Sequence, residues 1–256
     1  MITLVRKATL LTACGLIIAA SALATTSGVP NPAYCTFPCA IVLVGNNVTD
    51  TAADPYGLFT VVVSDGNSPV MNSVVKIDFS GCCPDIKLSN TQLGVGVVHT
   101  PNAAFVTGTT DNTGTATFVI EGAASQGAGP VTGYVCSLPT CGCATVTATP
   151  SGGGTPVTLS SAVFVSTPDE NGAVGTTGVD ATDLSVFVFD KNAYFKDPTV
   201  YRQRSDFDFH LPAFNCSAVF AQSFGLGDNV GDLPEWVRIK NAATSIHNGP
   251  FPVTCP

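Results

Sequence analysis

The sequence predicts a mainly β protein, an antiparallel β-sandwich followed by a small helical module. Three observations predict it. Short β-branched runs such as Leu58–Val63 (LFTVVV) and Thr115–Ile120 (TATFVI) recur, each bounded by Gly, Pro, Asn, Asp or Ser. Helical periodicity is nearly absent from that part of the chain. Charge is also uneven. Thr25–Val165 holds few charged residues, while Asp169–Glu235 holds most of the acids, so two regions of different physics share the 256 residues.

The first element is a leader. Arg6 and Lys7 precede the apolar run Ala8–Ala20, and Ala22-Leu23-Ala24 supplies a small-residue cleavage pattern. Residues 1–24 therefore read as a secretory signal peptide. Leu11-Thr12-Ala13-Cys14 offers lipidation of Cys14 as an alternative, but the apolar run continues well past that cysteine. No later stretch is long and apolar enough to span a bilayer. The expectation is a secreted or cell-surface protein with no membrane insertion after cleavage. Without Arg6 and Lys7, 8 basic residues face 18 acidic ones, a formal charge of −10 against −8 for the whole chain. That balance argues against nucleic acid and anionic lipid as partners.

Export changes how the cysteines read. Loss of Cys14 leaves Cys35, Cys39, Cys82, Cys83, Cys136, Cys141, Cys143, Cys216 and Cys255. In an oxidising compartment these are disulfide candidates before they are metal ligands. Cys82-Cys83 and Cys141-Gly142-Cys143 lack the spacing of a zinc ribbon and have no histidine close by. The number is odd, so one thiol is free or pairs with another chain. Cys35 with Cys39 would close a tight loop; the pairing as a whole is not readable from sequence.

The sandwich, residues 25–165, is expected to be built from hairpins. Leu58–Val63, the turn Ser64–Pro69 and Val74–Phe79 form the first. Ala104–Ile120 forms the second around Thr110–Gly114. Ala144–Ala148, the turn Thr149–Thr155 and Val157–Val165 form the third. Gly81–Pro101 reads as a long loop tied down by Cys82 or Cys83. Cys39–Val44 (CAIVLV) is the sandwich's own first strand or a strand that adds to a neighbour's sheet edge. The segments LFTVVVSDGNSPVMNSVVKIDFSG, TGTTDNTGTATFVIEG and CATVTATPS resemble the bacterial immunoglobulin-like domain of invasin and intimin, over about Pro30–Val165. The resemblance implies an immunoglobulin-like antiparallel sandwich. The cysteine content departs from that family.

The second region, residues 166–227, opens with Asp169-Glu170-Asn171-Gly172 and continues through Gly178-Val179-Asp180-Ala181-Thr182-Asp183-Leu184. Oxygen-bearing side chains at alternating positions before a helix suit a hard cation. Thr182 or Asp183 can cap that helix, with Leu184, Phe187 and Val188 on one face. A second unit opens at Ser205-Asp206-Phe207-Asp208, followed by Cys216, Phe220 and Phe224 at helical spacing, with Gly225 to end the helix. The two loop–helix units resemble a type I dockerin, whose loops bind calcium and whose helices bind cohesin modules. The resemblance implies Asp169, Asn171, Asp180 and Asp183 as calcium ligands in the first loop, and Asp206 and Asp208 in the second. This chain departs from it at Ala173, His210, Pro212 and Ser217, and its first loop is overlong. The plain reading is a polar connector with the helices kept for packing. The tail, residues 228–256, carries the sole tryptophan, Trp236, expected to pack against its own domain.

No catalytic constellation is legible. His99, His210 and His247 are scattered, and no nucleophile elbow, zincin or phosphate-loop motif occurs. The expected function is therefore non-enzymatic. The chain reads as a secreted structural subunit of an extracellular filament or matrix, with a protein partner that is a second copy or a surface scaffold. The alternatives are calcium-dependent docking to a cohesin-like scaffold, and an adhesin or carbohydrate-binding surface protein.

Overall fold

The computed structural model describes residues 28–38, 40–45, 57–82, 86–124, 142–170, 179–196, 205 and 232–243. Residues 1–24 and most of the second loop–helix unit lie outside them. The described chain is mainly β. Its strands are β1 (Ala40–Val42), β2 (Leu58–Val62), β3 (Val74–Asp78), β4 (Ile86–Leu88), β5 (Val98–His99), β6 (Phe105–Thr109), β7 (Thr115–Val119), β8 (Gly122–Ala124), β9 (Ala144–Thr149) and β10 (Val157–Ser166). Two helices follow, α1 (Ala181–Lys196) and α2 (Asp232–Ala243). One sheet has the order β1-β10-β9-β3-β6-β5, and two smaller ones pair β2 with β7 and β4 with β8.

Strand alternation explains the core. In β9 the sequence ATVTAT buries Ala144, Val146 and Ala148 and turns its threonines outward. Phe59 and Val61 of β2 and Phe118 of β7 share one apolar core with Val75, Ile77 and Val106 of the large sheet and Ile86 and Leu88 of β4. The Phe59 and Phe118 rings stack with centroids 5.4 Å apart. Burial stabilises each such side chain by about 1.5–3 kcal/mol.

Two of the three expected hairpins are corners instead. Leu58–Val63 and Val74–Phe79 meet only at the turn, where the Val70 N–H donates to the Val63 carbonyl at 2.9 Å. Beyond it β2 leaves to pair with β7, and β3 enters between β6 and β9. Likewise β6 and β7 follow each other through Thr110–Gly114 yet belong to different sheets. Alternation marks which side chains face inward; it does not mark which strand lies alongside. The two corners lock together. The buried Thr110 hydroxyl donates to the Val70 carbonyl at 2.7 Å and accepts the Ser73 N–H at 2.8 Å. Gly114 has φ +75°, its carbonyl accepts the Val63 N–H, and a Cβ there would stand 2.6 Å from the Val63 carbonyl oxygen. The third pair, β9 with β10, is a hairpin, with register shifts along β10.

Cys39–Val44 supplies the chain's own strand. β1 pairs with β10 in parallel, Ala40 beside Phe164 and Val42 beside Ser166, so the large sheet is not purely antiparallel. The segment Gly81–Pro101 is not all loop, because β4 and β5 lie within it and pair with β8 and β6. A second apolar cluster joins Val42 and Val44 to Val179, Phe187, Trp236 and Ile239, so both helices pack at this edge of the sheet. The supposed tail thus contains a docked helix. Leu184 and Phe187 of α1 face this cluster, whereas Val188 is 44% exposed and does not belong to that face.

Candidate functional site

The junction between the end of β10 and the start of α1 holds the described part of the predicted ligand set. Asp180 stands just before α1, and its carboxylate accepts the Thr182 N–H at 2.6 Å. Asp183 reaches back to accept the Asp180 N–H at 2.7 Å. The pair forms a reciprocal cap on N–H groups that the helix cannot satisfy internally. The cap residue is Asp180, two positions before Thr182 and three before Asp183, the expected choices. Asp169 is buried at the end of the β10 extension, where its backbone carbonyl accepts the Ala124 N–H at 2.8 Å. Its own N–H donates to the Thr167 hydroxyl, which donates in turn to the Gly122 carbonyl. Among the described residues no three His, Cys, Asp or Glu side chains gather around one point suited to a metal. Asn171, Asp206 and Asp208 lie outside the described residues.

Three residues not named as ligands from the sequence meet at the middle of α1. The buried Ser205 hydroxyl lies 2.9 Å from Glu170 Oε2 and 2.9 Å from Asp190 Oδ2, and both carboxylates are buried as well. A hydroxyl carries one hydrogen and donates to one of the two at a time. Asp190 had a sequence signal: it follows Asp183 and Phe187 at i+7 and i+3, on the buried face of α1. The approach of Glu170 and Ser205, 35 positions apart, had none. Over the same junction the Phe187 and Trp236 rings stack at 5.8 Å, and Trp236 is 2% exposed.

The cysteines divide. Cys82, in a 3-10 turn after β3, is bonded to Cys143 just before β9, with Cα atoms 4.7 Å apart. Gly81 lies against the Cys143 carbonyl, with no room for a Cβ. Cys35 is a buried free thiol, and its expected partner Cys39 lies outside the described residues. Its sulfur exchanges two weak 3.5 Å hydrogen bonds with the Ser64 backbone. Burial pushes this thiol up, with the Ser64 and Asn31 backbone contacts opposing in part. Cys39, Cys83, Cys136, Cys141, Cys216 and Cys255 lie outside the described residues.

His99 is nearly buried on β5 and donates from Nε2 to the Ala103 carbonyl at 2.7 Å. Asp111 is fully engaged in its own turn, accepting from the Thr113 hydroxyl and from the Thr113 and Thr115 N–H groups. These bonds, the Thr113 hydroxyl first, hold its carboxyl below the usual value. Asp78 also lies below it. Burial opposes this, and hydrogen bonds from Lys76 and Ser80 with the Lys76 charge outweigh burial.

The chain matches no protein-family model, no curated protein sequence and no solved structure. Among the described residues no helix is long and apolar enough to cross a membrane.

Proposed function

We propose that this chain is a secreted, non-enzymatic structural subunit that self-associates outside the cell. The observation that carries the reading is the outward face of the large sheet. It is rich in threonine, half-buried to exposed with Val74 and Val98 standing out, and bears one ion pair in an otherwise strongly acidic chain. Such a face gives copies a place to meet without adding to their mutual repulsion. The leader pattern of residues 1–24 and the Cys82–Cys143 bond support export to an oxidising compartment.

We read residues 30–165 as an immunoglobulin-like sandwich. Support comes from the pairing order. The first strand joins the last in parallel, and β10, β9, β3 and β6 follow in one sheet while β2 and β7 pair in another. A shared core between these sheets agrees with two packed layers. Light scattering on the oxidised mature chain, across concentration and with calcium or chelator, tests the assembly reading. Growth of larger species supports it, and a strict monomer under all conditions overturns it.

A further inference from the structure

The contact itself is legible on the face just described, and this inference rests on the assembly reading. The register of the large sheet places Val98, Thr107, Lys76, Thr147 and Thr158 in one transverse row. Their neighbours along the strands, such as Val75, Ile77, Val106 and Val146, are buried, so the row points away from the core. Val98 is 58% exposed and Val74, in the adjoining row, 42%. The strands β3, β5, β6, β9 and β10 carry one cation, Lys76, and one carboxylate, Asp78. Both project from this face and pair at 2.7 Å. Lys76 Nζ also sits over the Phe105 ring, 4.3 Å from its centroid, which holds its position.

We propose that a second copy of this chain docks here, face to face, about a two-fold axis. Lys76 and Asp78 are two residues apart on one strand, about 7 Å by strand geometry. A two-fold axis lying between the faces and crossing β3 at right angles sets each Lys76 opposite the other copy's Asp78. The single cation and single carboxylate are thus self-complementary, as an isologous contact requires. The same axis lays valine and threonine of one face on those of the other. Four strands about 4.8 Å apart, each presenting about 17 Å, with the two-residue β5 adding about 7 Å, give a patch on the order of 350 Å² per copy. The total of about 700 Å² falls below the roughly 1,000 Å² of a stable specific interface, so the contact is weak, transient and dependent on concentration.

Sedimentation velocity on the oxidised mature chain, over a concentration series, tests this. The variants are Lys76→Asp, Asp78→Lys, the double exchange Lys76→Asp/Asp78→Lys, and Val98→Glu, with circular dichroism to verify folding. Each single reversal sets like charges opposite each other and is expected to weaken association about ten-fold or more. The double exchange restores complementarity and is expected to restore association. Val98→Glu is expected to weaken it without touching the pair. Association that persists in both single reversals, or that the double exchange fails to restore, overturns this face and leaves assembly by another route standing. A chain that is monomeric at every concentration overturns both the face and the assembly reading.

Discussion

Asp180 and Asp183 cap the start of α1 reciprocally, Asp180 accepting from Thr182 N–H at 2.6 Å and Asp183 from Asp180 N–H at 2.7 Å. Both carboxylates therefore have a structural role as helix caps. Asp180→Ala and Asp183→Ala are each expected to cost about 1 kcal/mol, the usual worth of a helix cap. Urea denaturation in calcium and in chelator checks it. An equal loss in both buffers is expected, and a loss seen only with calcium would transfer the role to a metal.

The Cys82–Cys143 bond closes a long loop, with a sequence separation of 61. A loop of that length constrains the unfolded chain by about 4 kcal/mol in the chain-entropy account. The double variant Cys82→Ala/Cys143→Ala should lose stability of that order under non-reducing denaturation. Gly81→Ala should also destabilise, because the group it meets is the Cys143 backbone carbonyl, which cannot swing aside.

Asp78 has a depressed folded-state pKa, so its unfolded form binds protons first as pH falls. Its stabilisation is present above the ordinary aspartate value of about 4 and is lost as pH drops through the lower folded value. Asp111 acts in the same sense. Melting temperature should decline below about pH 4, and the decline should be shallower in Asp78→Asn. An unchanged acid limb in that variant would remove Asp78 from the account.

Cys35 shifts the other way. Its folded pKa is raised, so the folded state favours the neutral thiol, and stability falls as pH rises above the ordinary thiol value of about 8.5. Native protein should label slowly at Cys35 with iodoacetamide at neutral pH, and rapidly once unfolded, as read by peptide mass mapping. Fast labelling of the native chain would contradict the burial.

Trp236 packs on Phe187 and reports on the junction of the helices with β1. Its Nε1 is buried with no hydrogen-bond partner among the described residues. Trp236→Ala should cost about 3–5 kcal/mol by leaving a cavity. Trp236→Phe keeps a ring against Phe187 and removes the unpaired N–H, so it should cost markedly less. Equal losses in the two variants, measured by chemical denaturation, would show that stacking is not what holds the helices here.

Much of the β architecture was legible because its signal is local. Val61, Val75, Ile77 and Val146 face inward by alternation alone, and the strand positions follow from runs bounded by turn residues. The helix start at Asp180 was legible to within a few residues for the same reason. The candidate site was legible only in part. The acidic spacing after Asp169 drew attention to the right segment, but Asp180 and Asp183 satisfy backbone donors there, and the meeting of Glu170, Asp190 and Ser205 went unseen.

By itself, the sequence determined the strands of the three expected hairpins, the helix α1, the inward positions of those strands, and the acidic, cysteine-bearing character of the chain; it missed β4 and β5. Only the tertiary structure decided that β2 turns to β7 and β3 to β6 and β9, and that β1 joins β10 in parallel. It also decided that Cys82 meets Cys143 while Cys35 stays reduced, and that Ser205 lies between Glu170 and Asp190. The physical reason is range. Alternation and capping are set by residues within a few positions of each other. Pairing, bonding and burial are settled by segments tens of residues apart, whose best arrangement depends on how the whole core closes.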